Sequence, residues 1–438
     1  MCGILALLYA GTASVKLPAS AHEGGAKAYA SNAADVDELV KKLGARQAHR
    51  GPDAQAVLSG SGWALAHQRL SIMDPVESSN QPFIFDDDTA LAGIRLVHNG
   101  EIYNHEELYQ KLSAEGHTIT RHTKTDSEVI LHCYAAWGWE RCMQELSGMF
   151  AIVIIDERDK GAPQVLAARD HVGIKPLYMA VDSARGVTLF SSELKAIHDM
   201  VDHTLPSVHI ALVPAGCAWV RHMESANNAQ NIQAGEGVTW RKFWKPEWDC
   251  PGYSQALTER PTRAQVRQAL KTAVHRRMMS HVPYGALLSG GVDSCIVTCL
   301  MVEIAREYNL DYNWPDGKLR TYTVGMEGSP DIMAAREMAR HLGTVHHERL
   351  FTAAEACKIV PKVVYHMETY EPELLRSGRT RTHTVTIART HARTRSRARS
   401  HTQTNESELL RSGKTHTHTH YHPPTHTPTH TRRQSFLR

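Results

Sequence analysis

The sequence has no run of about 18 apolar residues, so it encodes no membrane-spanning helix. Its eight cysteines (Cys2, Cys133, Cys142, Cys217, Cys250, Cys295, Cys299 and Cys357) contain no CxxC pair and no dense framework. That argues against a zinc site and a disulfide scaffold and fits reduced thiols. The first basic residue is Lys16. The apolar opening Met-Cys-Gly-Ile-Leu-Ala-Leu-Leu-Tyr-Ala-Gly and the later Ala19-Ser20-Ala21 imitate a secretory leader, but the basic n-region is missing. Glycine does not stand at position 2, so myristoylation is excluded. Aspartate and tryptophan are absent from the last 68 residues, Glu371–Arg438, which hold 15 Thr and 9 His.

That tail differs from the rest of the chain. It carries 13 Lys+Arg against 4 Asp+Glu, a net of +9, so a total of +3 leaves −6 on the first 370 residues. At 438 residues, with 42% hydrophobic and 22% charged, the whole has the size of two or three ordinary globular domains.

The apolar segment Ile4–Tyr9 predicts a strand beginning almost at the first residue. Once Met1 is removed, Cys2 carries a free α-amine beside its own thiol. Their ordinary pKa values, about 8 and 8.5, let the amine act as the thiol's general base. Helical spacing predicts a helix over 34–43, and His49-Arg50-Gly51-Pro52-Asp53 reads as a loop. Residues 64–72, 95–98, 149–156, 165–169 and 188–192 read as strands, the second ending in Asn99-Gly100-Glu101-Ile102-Tyr103-Asn104, where Asn-Gly as a simple turn is the bland alternative. Asp126–Trp137 reads as an amphipathic helix. Many short strands with few helices predict two stacked sheets with helices outside. Ala215–Pro251 reads as irregular, and its tryptophans Trp240, Trp244 and Trp248 as interdomain packing.

From Pro261 strand and helix alternate three times, which predicts a parallel, doubly wound α/β sheet. The first strand leads into Ser289-Gly290-Gly291-Val292-Asp293-Ser294 and then a helix. Glycines that admit backbone amides, serine hydroxyls and a helix amino end make a cradle for an anion. The loop has neither the Gly-Lys-Ser/Thr of a Walker motif nor GxGxxG. A pyrophosphate fits it, and Asp293 could hold Mg²⁺. The same residues also suit a simple strand-to-helix turn with caps.

Ser289–Ser294 resembles the pyrophosphate loop of the N-type ATP pyrophosphatases. Met1-Cys2-Gly3-Ile4 resembles the start of class II glutamine amidotransferases, whose nucleophile is an N-terminal cysteine. Together with Arg50-Gly51-Pro52-Asp53, Arg69-Leu70-Ser71-Ile72, Asn99-Gly100-Glu101-Ile102-Tyr103-Asn104, Gly148-Met149-Phe150-Ala151, Arg169-Asp170 to Lys175-Pro176-Leu177-Tyr178, Ser192-Glu193-Leu194-Lys195-Ala196 and Val282-Pro283-Tyr284-Gly285, the order resembles glutamine-hydrolysing asparagine synthetases.

The resemblance implies an α+β N-terminal-nucleophile domain of αββα type over 2–215 and a linker over 216–260. It implies an incomplete synthetase domain over 261–370. The tail over 371–438 is expected to be disordered, because its composition cannot bury a core. Cys2 is implied as nucleophile, with Asn99 and Gly100 as oxyanion donors. Arg50 is implied on the glutamine α-carboxylate, and Glu101 and Asp126 on its α-ammonium. At the ATP site the resemblance implies Leu288, Ser289, Gly290, Gly291, Asp293, Ser294 and Val324. The implied cofactors are ATP and Mg²⁺, and the implied partners are glutamine, aspartate, ATP and a second copy of the chain in a homodimer, without membrane or nucleic acid. The implied location is the cytoplasm.

The likeness ends near Thr369-Tyr370, and an insertion interrupts it around Ala13–Ala34. A second glycine- and acid-rich loop of the family has no counterpart here. In its place come Glu371–Gly378, an echo of it at Glu406–Gly413, and Thr-His alternation of the kind an ACACAC repeat encodes. This pattern predicts translated repetitive DNA and a synthetase half that is unstable or incomplete. A chain with glutaminase activity only, another class II amidotransferase, a β-lactam synthetase, and a non-catalytic chain with an RNA- or zinc-binding tail are the competing readings.

Overall fold

The computed structural model describes residues 2–9, 15–16, 29–30, 33–160, 163–198, 207–222, 240–250, 253 and 260–369. The expectations for the 13–34 insertion fall largely outside that set, and those for the 371–438 tail fall wholly outside it.

The first strand, β1 (Gly3–Tyr9), is sorted by its alternation. Ile4, Ala6 and Leu8 point to one side, and Leu5 and Leu7 to the other, and all are buried. A strand buried on both faces must lie inside a layered stack. The remaining elements supply the layers. In chain order they are β2 (Val15–Lys16), β3 (Tyr29–Ala30), α1 (Ala33–Ala45), β4 (Ala54–Gly60), β5 (Trp63–Arg69), β6 (Ile94–Ile102), α2 (His105–Ala114), α3 (Val129–Glu145), β7 (Gly148–Asp156), β8 (Gln164–Arg169), β9 (Tyr178–Asp182), β10 (Val187–Ser191), α4 (Leu194–His198), β11 (Val208–Leu212), β12 (Cys217–His222) and β13 (Arg241–Lys242). One sheet runs β11-β9-β10-β1-β5-β4 and the other β13-β12-β8-β7-β6.

Ile4, Ala6 and Leu65 from the first sheet meet Val97, Val153 and Val165 from the second, which makes the inner core. Leu5 and Leu7 pack outward on Val36, Val40 and Leu43 of α1 and Ile197 of α4. Leu96, Ile152 and Ile154 pack outward on Leu108, Leu112 and Val129 of α2 and α3. Helix, sheet, sheet and helix are therefore stacked, as the sequence predicts.

Two expectations are corrected. The strand expected over 95–98 does not end at His98, and the turn alternative for Asn99-Gly100 falls, because β6 continues through them to Ile102, pairing Gly100 with Phe150 of β7. A Cβ at Gly100 would stand 1.9 Å from the Met149 carbonyl oxygen, so packing against the neighbouring strand sets this glycine. The stretch 215–251 is not wholly irregular either. β12 pairs with β8 and carries β13 as the sheet's edge, and Trp240 and Trp244 pack on the first domain's own cores.

The second half contains α5 (Arg263–Arg276), β14 (Gly285–Leu287), α6 (Val292–Tyr308), β15 (Arg320–Gly325), α7 (Pro330–Leu342), β16 (Val345–Leu350) and α8 (Ala353–Met367). Two of its helices begin with capping boxes, Thr262 with Gln265 and Thr352 with Glu355. The parallel strands run β14-β15-β16, in chain order. The reversal of order that defines a doubly wound sheet is therefore not found among the described residues. Leu287 and Leu350, on the two outer strands, are each more than two-fifths exposed. Parallel sheets normally have both faces covered, so this one is incomplete among the described residues. All described residues belong to one compact unit. No described helix is long and apolar enough to cross a membrane.

Candidate active site

Cys2 stands immediately before β1, at the point where that strand leaves its pairing with β5. Its Sγ accepts the Leu70 N–H at 3.4 Å and lies 3.8 Å from the Leu70 carbonyl. Arg50 donates from Nε to the Cys2 carbonyl at 2.8 Å and from Nη1 to Glu193 at 3.1 Å. Arg69 fixes the loop below, donating to the carbonyls of Met73, Asp74 and Val76.

Asn99, Gly100 and Glu101 follow one another on β6. Asn99 is fully buried; its Nδ2 reaches Ser192 Oγ at 3.4 Å and its Oδ1 has no partner. Ser192 Oγ in turn accepts the Ile4 N–H at 3.1 Å, so Asn99 is tied to the strand that carries Cys2. Asp126 accepts the Ile102 N–H at 2.6 Å.

The electrostatics bring these groups together. Burial raises the Glu101 carboxyl well above its usual range, and the Asp126 and Cys2 charges add to that, against Lys175. Burial likewise raises Asp126, against the Ile102 hydrogen bond. Burial lowers the Lys175 amine, with Glu101 opposing. Glu101 therefore lies within electrostatic reach of both Asp126 and Lys175 in a buried region. Asp170 shapes the loop carrying Lys175, accepting the N–H groups of Phe150, Ile174 and Lys175.

The structure thus brings Cys2, Arg50, Asn99, Gly100, Glu101 and Asp126 into one region. Sequence reasoning gave no role to Glu193, His49, Lys195 or Lys175. Glu193 receives His49 at 2.9 Å, Arg50 at 3.1 Å and Lys195 at 2.8 Å. Burial alone would raise Glu193, but His49, Arg50 and Lys195 outweigh it and bring the carboxyl to about 2. An acid and a base two residues apart in Ser192-Glu193-Leu194-Lys195 were the available signal.

At the second centre, Ser289–Ser294 joins β14 to α6. Ser289 Oγ and Ser294 Oγ are 3.0 Å apart, and Ser294 Oγ donates to the Gly291 carbonyl at 3.0 Å. Gly290 has φ +86°, and a Cβ there would stand 2.3 Å from the Asp331 carbonyl oxygen. Gly291 is the N-cap of α6, and no side chain caps that helix end. A Cβ at Gly291 would meet nothing closer than Ser289 Oγ at 3.6 Å, so there is open space above the helix start. Such an uncapped amino end with room above it can accept an anion. Leu288 is fully buried, with its N–H on the Tyr322 carbonyl, and Val324 lies two residues further along β15. Asp293 is in the first turn of α6 and exposed. No cluster of three or more His, Cys, Asp or Glu suited to a metal occurs among the described residues.

The comparisons agree with this division. A glutamine amidotransferase domain model matches residues 24–238, and an asparagine synthase model matches residues 265–408. The first match begins after Cys2, and the second runs past Tyr370. The chain is thus a glutamine amidotransferase domain joined to an asparagine synthase domain.

It is 37% identical over 381 residues to a glutamine-hydrolysing asparagine synthetase of Zea mays, covering 86% of this chain and 55% of that one. It is 36% identical over 379 residues to a second such enzyme, from Oryza sativa, covering 86% and 54%. The chain belongs to the glutamine-hydrolysing asparagine synthetase family. It spans about half the length of the curated relatives it matches. A glutamine phosphoribosylpyrophosphate amidotransferase from B. subtilis aligns over 80% of this chain and 81% of its own at 15% identity, with a TM-score of 0.39.

Proposed function

We propose that the chain makes asparagine from aspartate, using ammonia released from glutamine at Cys2 and ATP bound at the Ser289–Ser294 loop. The observation that carries this reading is the placement of Cys2 against Leu70 N–H, with Arg50 on its carbonyl, in a family defined by that chemistry. The first domain is read as an N-terminal-nucleophile domain, with Met1 removed.

The Cys2 thiol passes its proton to the free α-amine, and Sγ bonds to the carboxamide carbon of glutamine. The carbonyl electron pair moves onto oxygen, where the Asn99 amide and the Gly100 N–H receive it. Removing one such donor typically costs about 10²–10³ in rate. The C–N bond then breaks, the nitrogen takes a proton and leaves as ammonia, and water hydrolyses the thioester to glutamate. Arg50 suits the substrate α-carboxylate, since its guanidinium offers two parallel donors. Glu101 and Asp126 suit the α-ammonium, whose charge would offset the burial that raises both carboxyls.

In the second half the uncapped helix end at Gly291 and the Ser289 and Ser294 hydroxyls suit the pyrophosphate of ATP. Leu288 and Val324 stand at the strand ends where open α/β sheets take ligands. Mg²⁺ fits as an ion carried by the phosphate oxygens with Asp293 as protein carboxylate, since a lone aspartate suits that mode better than an all-protein cage. When bound, it would neutralise phosphate charge. Aspartate would be activated as its β-aspartyl adenylate and attacked by the ammonia. A homodimer and a cytoplasmic location belong to the same reading.

A second reading, glutamine hydrolysis without ligation, is favoured by the partly uncovered three-stranded sheet. The test is formation of glutamate and asparagine by the full chain with glutamine, aspartate and Mg·ATP, with Cys2→Ala as control. Glutamate and asparagine together support the first reading. Glutamate alone supports the second. Neither product, from folded protein, overturns both.

A further inference from the structure

The last turn of α8 lies in the second half of the chain, yet its side chains end beside the glutamine site of the first. Glu368 accepts the backbone N–H of Leu194 and of Lys195, each at 2.7 Å, and so caps α4. The Lys195 ammonium lies 2.8 Å from Glu368 Oε1, 2.8 Å from Glu193 Oε2 and 5.0 Å from the centre of the Tyr365 ring. His366 packs edge-on against His49, with ring centres 4.6 Å apart, and His49 is itself bonded to Glu193. Charges alternate along the line: Glu368, Lys195, Glu193, Arg50, then the Cys2 carbonyl. Every side chain on it is nearly buried, which strengthens each link relative to a surface ion pair.

Glu368 also has φ +53°, a left-handed conformation that a residue with a Cβ rarely adopts. A strained backbone persists where surrounding bonds hold it, and here two backbone N–H groups and an ammonium do so. A second contact touches the other flank. His281 donates its N–H to the Ile72 carbonyl at 3.0 Å, and its Nδ1 accepts the Asp74 N–H at 2.9 Å. These bonds fix the loop that follows Leu70, the residue on the Cys2 thiol.

We propose that Glu368 is a positioning residue for the glutamine site, holding Arg50 on its substrate-facing side through Lys195 and Glu193, so that the synthetase half sets the affinity of the glutaminase half. This rests on the reading of Cys2 and Arg50 as the glutamine site. Loosening Glu368 frees Lys195, Glu193 loses one of its three partners, and Arg50 loses its fixed direction. The signature is a change in KM, since Arg50 binds substrate rather than the reacting atoms.

The test uses the full chain with Glu368→Gln, Glu193→Gln and the double variant. Glu368→Gln is expected to raise KM for glutamine about three- to tenfold, with kcat within about twofold in protein that remains folded at the assay temperature. On the Glu193→Gln background it should add less than about twofold, because residues in one network are not additive. An unchanged KM, a loss confined to kcat, or full additivity overturns the proposal. Lys195→Met replaces Glu193→Gln if that variant does not fold. Protection of Cys2 by glutamine against iodoacetamide, followed on the Cys2 peptide, separates the two levels. A wild-type protein with neither activity nor protection removes the glutaminase reading and this proposal with it. A wild type active and protected, with variants identical to it, removes the proposal alone.

Discussion

One guanidinium links Cys2 to the buried acid beside it: Arg50 is 2.8 Å from the Cys2 carbonyl and 3.1 Å from Glu193. Lysine offers a point charge in place of a planar fork, so it cannot serve both partners and a substrate carboxylate at once. Arg50→Lys is therefore expected to raise KM for glutamine about 10–100-fold, the size of one lost charge-assisted hydrogen bond. Steady-state kinetics with glutamine, beside ammonia as nitrogen source, checks it. Ammonia-dependent product should be unaffected, and an equal loss with ammonia would place Arg50 elsewhere in the reaction.

The thiol itself gives a sharper contrast. Cys2→Ala removes the proposed nucleophile while leaving the buried side of β1 intact, since Ile4–Leu8 provide the packing. Glutamate release should fall to background, a loss of about 10⁴-fold or more. Tm should stay within about a degree, as for a substitution outside the core. Residual glutaminase at a tenth of the wild-type rate would show that another group makes the bond.

Glu193 makes a pH-dependent contribution to stability. Its carboxyl falls from 4.5 to about 2 in the folded protein. A lowered acid stabilises the fold above its unfolded value and loses that contribution as the pH falls from 4.5 toward 2. The shift corresponds to on the order of 3 kcal/mol at neutral pH. Glu193→Gln should therefore lower Tm at pH 7, and the gap from wild type should narrow below about pH 4.5 and close only near pH 2. A gap that is constant with pH would mean that Glu193 acts by shape rather than charge.

How much of this was legible in the sequence depends on range. The parity of Ile4–Tyr9, the strand-loop-helix at Ser289 and the run of elements from Arg263 to Met367 are local patterns, and they are where the sequence places them. Asn99-Gly100 misled because that dipeptide is a turn signal in isolation. Only the partner strand, with the Met149 carbonyl against the missing Cβ, keeps it extended. β12 was obscured by the irregular-looking sequence around it and becomes a strand because β8 offers it an edge. Glu368 could not be read at all, since its partners Leu194 and Lys195 lie more than 170 residues away with no motif between them.

Two glycines test the reading of β6. Gly100→Ala drives a Cβ to 1.9 Å from the Met149 carbonyl oxygen, so the strands must part. A loss of about 2–3 kcal/mol is expected, together with loss of glutaminase. Gly116 has φ +87° and nothing within 4 Å of its Cβ direction, so Gly116→Ala costs only backbone strain, about 1 kcal/mol. Thermal unfolding of both variants checks the ratio. A Gly100→Ala protein as stable as Gly116→Ala would mean that the strand pairing there is looser than described.

The two glycines of the second centre separate a phosphate cradle from a mere turn. Gly290→Ala must strain the backbone at φ +86° and collide with the Asp331 carbonyl, so it should damage folding on either view. Gly291→Ala is different, because its Cβ enters open space and meets only Ser289 Oγ at 3.6 Å. If the loop is a turn, alanine at 291 changes little, since the N-cap backbone is extended already. If pyrophosphate sits over the uncapped start of α6, the methyl occupies that place and keeps the amides from the anion. The expected result for Gly291→Ala is an unchanged Tm and an ATP affinity weakened about 30-fold or more, on the order of 2 kcal/mol. Calorimetric titration of the full chain with Mg·ATP measures it. Equal affinities in Gly291→Ala and wild type would remove the cradle and leave the Ser289–Ser294 segment a structural turn.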